Sequence, residues 1–150
     1  MAVARRIFFS FHYDNDVTRA WVVRNSWVTK PNRTSSGVID KAEFEKIKKD
    51  GDAAVKRWID SQLIGTSVTV VLIGSETLNR PFVKYEIEQS LSRGNAIIGV
   101  FVNKIKDFDQ TTSTRCDTSG FKYSLYDWVA GDGYANLGDW VEVAAKQVGK

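Results

Sequence analysis

The chain has one cysteine, Cys116, and one histidine, His12, among its 150 residues. A single cysteine cannot form an internal disulfide, so nothing points to an oxidising compartment and we expect a cytoplasmic protein. A single histidine without a cysteine cluster excludes the usual zinc sites, and we expect no bound metal.

Long apolar runs and a strong net charge are also missing. The longest apolar runs fall far short of the ~20 residues that a membrane helix needs, and the run after Arg5 and Arg6 is too short for a signal peptide. The net charge is +3, and acidic and basic residues are interspersed through 41–50, which is typical of a solvated helix face. We therefore expect neither a membrane nor a nucleic acid as a partner.

The rest of the composition is ordinary, with 43% hydrophobic and 26% charged residues, and the length predicts one domain spanning 1–150. Strands are predicted at 6–11, 38–40, 68–73, 96–102 and 122–128, and helices at 17–27, 53–63, 81–91 and 137–148. This alternation predicts an α/β fold with three layers. We expect about five parallel strands in the flavodoxin-like order 2-1-3-4-5, with helices on both faces.

The stretch 67–91 is the clearest single unit. Its apolar run 68–73 is typical of a strand buried on both faces, and Pro81 suits the first position of a helix. Val83, Ile87 and Leu91 follow at a spacing of four and predict the buried stripe of that helix. Glu86 lies beside the stripe, near the edge where open α/β sheets bind their ligands.

In the predicted strand order, the loops after strands 1 and 3, at 10–16 and 74–80, meet in a crevice. One side would carry His12, Tyr13 and Asp14, and the other would carry Ser75, Asn79 and Glu86. Asp14 and Asp16 are also candidate helix caps.

Several functions fail on residue type. A phosphoacceptor domain needs an aspartate at the end of its central strand, where Ile73, Gly74 and Ser75 stand. A flavin phosphate loop needs glycines and hydroxyls after the first strand, and neither GxGxxG nor GxxxxGK[ST] occurs. Nothing identifies Ser10 and His12 as a nucleophile and its base.

What remains is an aromatic crevice with one histidine, several hydroxyls and one helical carboxylate. A carboxylate beside aromatic rings suits cleavage at an anomeric carbon, because the transition state there is positively charged. On the residues alone, a helical glutamate such as Glu86 more often faces solvent than takes part in catalysis.

Five segments resemble the TIR-like proteins of bacterial Thoeris anti-phage defence. They are FFSFHY at 8–13, VVRNSWVT at 22–29, SVTVVLIGS at 67–75, YEI at 85–87 and YDWVAGDGY at 126–134. The resemblance implies a TIR-like domain with the flavodoxin-like topology.

The resemblance also implies an activity. Such proteins cleave the N-glycosidic bond of NAD⁺, as an NAD⁺ nucleosidase or ADP-ribosyl cyclase, with NAD⁺ as substrate and no further cofactor. The family's catalytic glutamate maps onto Glu86, and its nucleotide-holding loop maps onto Ser10, Phe11, His12 and Tyr13. With Ser75 and Asn79 from the facing loop, these are the expected substrate-binding residues.

Partners follow from the same resemblance. The product would be a second messenger that activates a separate nucleotide-sensing effector protein, and a loop near 40–50 would support homo-oligomerisation. The alternative is a non-enzymatic TIR-like adaptor or nucleotide-binding module, because no second catalytic group is strongly implied. The sequence assigns no role to the long polar loop at 104–120.

Overall fold

One parallel sheet organises the chain, and the computed structural model describes residues 5–36, 38 and 41–150. Its strands are β1 (Arg5–Ser10), β2 (Arg33–Ser35), β3 (Val68–Ile73), β4 (Ala96–Phe101) and β5 (Ser124–Asp127). The helices are α1 (Tyr13–Val28), α2 (Lys41–Lys49), α3 (Asp52–Leu63), α4 (Pro81–Ser92) and α5 (Gly133–Gln147), and a 3₁₀ turn spans Thr77–Asn79.

The strand order is β2-β1-β3-β4-β5, and every neighbouring pair is parallel. The predicted flavodoxin-like order is therefore confirmed. In the register of the central strands, Ile7 is paired with Val68, and Val68 is paired with Ala96.

The two faces of β3 pack into different hydrophobic clusters, since successive side chains of a strand point to opposite faces. Val70 and Leu72 join the larger cluster, which includes Val141 of α5. Val71 and Ile73 form a smaller cluster with Val83 of α4 and Ile97 of β4. Full burial of each such side chain contributes about 1.5–3 kcal/mol, and the uninterrupted apolar run is explained by helices on both faces.

Helix α4 begins at Pro81 as predicted, but its buried face differs from the predicted stripe. Val83, Glu86 and Ser90 are buried, whereas Leu91 is 49% exposed. The reason is a polar contact under the helix: the Ser90 hydroxyl lies 2.6 Å from that of Thr69 on β3. Helix α4 is thus rotated about its axis relative to the predicted orientation, and Glu86 faces the sheet.

The predicted position of strand β2 is wrong. It lies at Arg33–Ser35, within the stretch expected to be a loop, and Val38 is not part of it. Residues 39 and 40, which complete the predicted strand, lie outside the described residues. An edge strand with the sequence RTS has no hydrophobic pattern, so its pairing with β1 cannot be seen in advance.

Three smaller predictions also need correction. The segment near 40–50, assigned to a self-association loop, contains helix α2 at Lys41–Lys49. Helix α5 begins at Gly133, one turn before the predicted start. His12, not an aspartate, occupies the N-cap of α1, and its side chain makes no capping hydrogen bond.

The 104–120 segment contains neither helix nor strand, and buried contacts hold it in place. Arg19 of α1 is 3% exposed and donates to the carbonyls of Ile105 and Thr111, at 2.7 and 3.1 Å. The same guanidinium contacts Asp16 at 2.8 Å and Asp107 at 3.7 Å. We call this group the Arg19 cluster, and it fixes the segment against the start of α1.

The loops after β1 and β3 meet as predicted. The Asn15 amide donates to the Glu76 carboxylate at 2.9 Å, and Gly74 lies directly against Asp16. A Cβ atom on Gly74 would stand 2.3 Å from an Asp16 carboxylate oxygen, so this approach requires glycine. None of the helices in the described part of the chain is long and apolar enough to cross a membrane.

Candidate active site

The end of β1 carries Ser10 into the interior at the carboxyl edge of the sheet. Ser10 is fully buried, and its hydroxyl donates a hydrogen bond of 2.8 Å to Oε1 of Glu86. Parallel strands bring their carboxyl ends to the same edge. This hydrogen bond joins Ser10 of the first strand to a residue 76 positions later in the sequence.

Glu86 occupies the second turn of α4 and is 1% exposed. Its second oxygen, Oε2, has no hydrogen-bond partner among the described residues. Burial raises the pKa of this carboxyl from 4.5 to about 8, and the hydrogen bond from Ser10 lowers it only in part. A buried charge without a partner is costly, so the resting carboxyl is mostly protonated at neutral pH.

Aromatic rings line the surface next to Glu86. Tyr13 stacks on Phe44 of α2 with ring centroids 4.2 Å apart and planes 3° apart, and Phe11 lies 4.4 Å from Tyr13. Phe82 meets Phe44 edge to face at 6.3 Å. Burial and then the charge of Glu86 raise the pKa of Tyr13 well above 10.

These rings belong to a cleft of about 370 Å³, which we call the aromatic cleft. It lies between the β1–α1 junction, α2, α3 and α4. Its remaining walls carry both charges: the cations are Lys48, Lys56, Arg80 and Lys84, and the acids are Asp14, Asp52 and Glu88. Concave apolar sites of this size with a few charged groups are typical of small-molecule binding.

His12 lines the aromatic cleft and is 7% exposed. Neither ring nitrogen has a hydrogen-bond partner among the described residues; Nε2 lies 4.0 Å from a carboxylate oxygen of Asp14, beyond hydrogen-bond range. Burial lowers the pKa of His12, as does Arg80, against the opposing effect of nearby carboxylates. The imidazole is therefore neutral at neutral pH.

The model of the Thoeris protein ThsB, TIR-like domain, matches residues 8–107. The chain belongs to this family. The protein named "Putative cyclic ADP-D-ribose synthase ThsB1" from Bacillus cereus (strain MSX-D12) is 45% identical to it over 141 residues. That alignment covers 86% of this chain and 73% of the relative, and the resemblance first seen in short segments is confirmed.

In this ThsB-family chain, three of the predicted binding residues, Phe11, His12 and Tyr13, line the aromatic cleft. Ser10 contacts Glu86, and neither of these two residues is among those that line the cleft. Their roles toward a substrate stay predictions. The described residues contain no group of three or more histidine, cysteine, aspartate or glutamate side chains that could hold a metal ion.

The other two predicted residues are not among those that line the aromatic cleft. Ser75 is half-buried in the turn after β3, and it is Thr77 whose hydroxyl accepts from the Gly74 amide at 2.8 Å. Asn79 is exposed and lines a different depression of about 410 Å³, between α4 and the segment 117–123.

Sequence reasoning missed the wall that α2 and α3 contribute. Phe44, Lys48 and Lys56 line the cleft, but the surrounding mixed charge resembled an ordinary solvated helix. The available signal was Phe44 itself, an aromatic residue with few apolar neighbours in a charged run.

Proposed function

We propose that this ThsB-family chain cleaves the N-glycosidic bond between nicotinamide and ribose in NAD⁺ and converts the remainder to cyclic ADP-ribose for Thoeris defence. The observation that carries the proposal is Glu86, held by Ser10 next to an aromatic cleft at the carboxyl edge of the sheet. The name of the ThsB1 relative, a cyclic ADP-D-ribose synthase, supports the same activity.

The cleft suits a dinucleotide in both shape and charge. Its aromatic walls offer stacking surfaces to a nicotinamide or adenine ring. Lys48, Lys56, Arg80 and Lys84 on its rim offer cations to the pyrophosphate. NAD⁺ is the substrate in this proposal, and no further cofactor takes part.

Glu86 is the proposed catalytic residue. As the bond to nicotinamide breaks, positive charge develops on the ribose, and a carboxylate next to C1′ stabilises it. The positive charge of the bound nicotinamide favours the ionised carboxylate, so substrate binding lowers the raised pKa of Glu86. Because Glu86 is 1% exposed and is not among the residues that line the cleft, we infer that the cleft wall moves when the reacting ribose reaches the carboxylate.

The proposed partners extend beyond the substrate. The cyclic product acts on a separate nucleotide-sensing effector, and copies of this chain assemble with one another in the bacterial cytoplasm. A pull-down with the effector, with and without product, tests the first statement. Light scattering of the purified chain tests the second.

The enzymatic proposal is tested by incubating protein with NAD⁺ and following nicotinamide and cyclic ADP-ribose by mass spectrometry. We expect Glu86→Gln to lower turnover by about 10³-fold, as loss of an electrostatic stabiliser does, without loss of fold. Glu45→Gln makes the same chemical change on α2 outside the lining of the cleft and should leave turnover unchanged. Full activity in Glu86→Gln would refute the role of Glu86.

A second candidate function is a TIR-like adaptor without catalysis. It is favoured by the burial of Glu86, whose side chain is 1% exposed. In that case NAD⁺ would survive with protein purified from phage-infected cells, and partner binding would persist in Glu86→Ala. Nucleotide profiles of infected cells carrying wild type or Glu86→Gln distinguish the two functions.

A further inference from the structure

His12 is a buried polar side chain that the proposed bond cleavage leaves unused. It stands two residues after Ser10, which contacts Glu86, and it lines the aromatic cleft. Both of its ring nitrogens lack a hydrogen-bond partner in the described part of the chain. Because buried polar groups are nearly always paired, a neutral imidazole left in this state is available to a ligand in the cleft.

The second half of the proposed reaction needs a proton acceptor, whereas the first half does not. Nicotinamide leaves with the electron pair of the broken C1′–N bond and becomes neutral, so it takes no proton. When a hydroxyl group or water then forms a C1′–O bond, its oxygen carries an extra proton that must be removed. Glu86 stabilises the charge on the ribose, and the neutral imidazole of His12 in the cleft wall can take this proton.

We propose that His12 is a second catalytic residue, which accepts the proton from the hydroxyl or water that attacks C1′. The inference rests on the proposed NAD⁺ cleavage and assigns its acceptor step. One C–N bond breaks, one C–O bond forms and one proton moves to His12, which returns it to solvent. No oxidant or reductant is involved.

Three carboxylates offset part of the cost of a transient imidazolium at His12. Burial and Arg80 before α4 lower the pKa of His12, while Asp14 and Asp16 of α1 and Glu76 of the β3–α4 connection oppose this. Farther along the cleft walls stand Lys48, Asp52, Lys56, Lys84 and Glu88. The ring is thus neutral before it accepts the proton, and three carboxylates stabilise the charge afterwards.

Isotope exchange separates the two halves of the reaction. Labelled nicotinamide can attack C1′ through its ring nitrogen and regenerate NAD⁺ without any proton transfer. In His12→Gln we expect transfer to oxygen acceptors to fall by about 10²-fold or more, while exchange changes by less than about fivefold. Glu86→Gln should lower both by about 10³-fold, because both require cleavage of the same bond.

Wild type and variants are compared on protein purified from phage-infected cells. Exchange in His12→Gln also reports folding, and added imidazole should partly restore oxygen transfer in His12→Ala. Equal loss of exchange and transfer would make His12 a structural residue and overturn the inference, as would a wild-type product linked only through an adenine nitrogen. If wild type performs neither exchange nor transfer, the proposed function itself fails. If His12→Gln performs both as fast as wild type while Glu86→Gln is slow in both, this inference alone fails.

Discussion

Arg19 and Glu86 are equally well buried, at 3% and 1% exposed, but their surroundings are opposite. Arg19 contacts two carboxylates and three backbone carbonyls from α1 and the 104–120 segment. Glu86 has one hydrogen bond from Ser10, and its other oxygen has no partner in the part of the chain that the structure describes. The difference separates a polar group that holds the fold together from one for which we propose a contact with substrate.

The largest effect that we expect from this contrast is a pH dependence of the free energy of unfolding. Below pH 4.5 Glu86 is protonated in both the folded and the unfolded chain. As pH rises toward 8, only the unfolded chain ionises, so stability is lost. At 1.36 kcal/mol for each pKa unit, the loss reaches roughly 4–5 kcal/mol as an upper bound.

Urea unfolding between pH 5 and 9 measures this loss, and Glu86→Gln should remove it. The variant is then more stable than wild type at pH 8.5 although it is inactive. Parallel pH profiles for the two proteins would mean that Glu86 is ionised in the folded state.

Arg19→Met should lower the free energy of unfolding by about 3–5 kcal/mol, because it leaves the Asp16 carboxylate buried without its cation. Amide hydrogen exchange should increase through 105–111, where Arg19 holds the backbone. The double variant with Asp16→Asn should be less destabilised than the sum of the single changes. Additive losses would contradict a coupled Asp16–Arg19 pair.

Gly74→Ala probes the place where the two loops meet. The added Cβ would contact the Asp16 carboxylate, so we expect a loss of about 1–3 kcal/mol and weaker binding of NAD⁺ analogues at the displaced β1–α1 junction. Gly120→Ala is the matched control, since nothing lies within 4 Å of its Cβ position. Equal thermal melting of the two variants would show that the loops do not pack closely.

The smallest effect is expected at the pair of Arg5 and Glu142. Arg5 donates two hydrogen bonds of 2.9 Å to this half-exposed carboxylate, and the contact lowers its pKa. Glu142→Gln should cost about 0.2–1 kcal/mol at pH 7 and less in 1 M salt. Because the folded pKa is lowered, the difference from wild type should vanish as pH falls below the ordinary range of a glutamate.

Much of this arrangement follows from sequence because local signals agree with the fold. The apolar run of β3 and the proline of α4 fix the two elements that flank Glu86, and strand alternation gives the sheet order. The orientation of α4 does not follow, because the contact between Thr69 and Ser90 joins residues whose packing no local pattern reveals. The α2 wall was missed for a related reason: Phe44 is buried by stacking on Tyr13, a partner distant in sequence.

The proposed catalytic residue and the aromatic cleft come from different parts of the fold. Glu86 lies on α4 and is held by Ser10 of β1. Phe44 and Lys48, which line the cleft, come from the short helix α2, which is not part of the sheet. An exchange of α2 between relatives would therefore change the wall of the proposed substrate cleft without displacing Ser10 or Glu86.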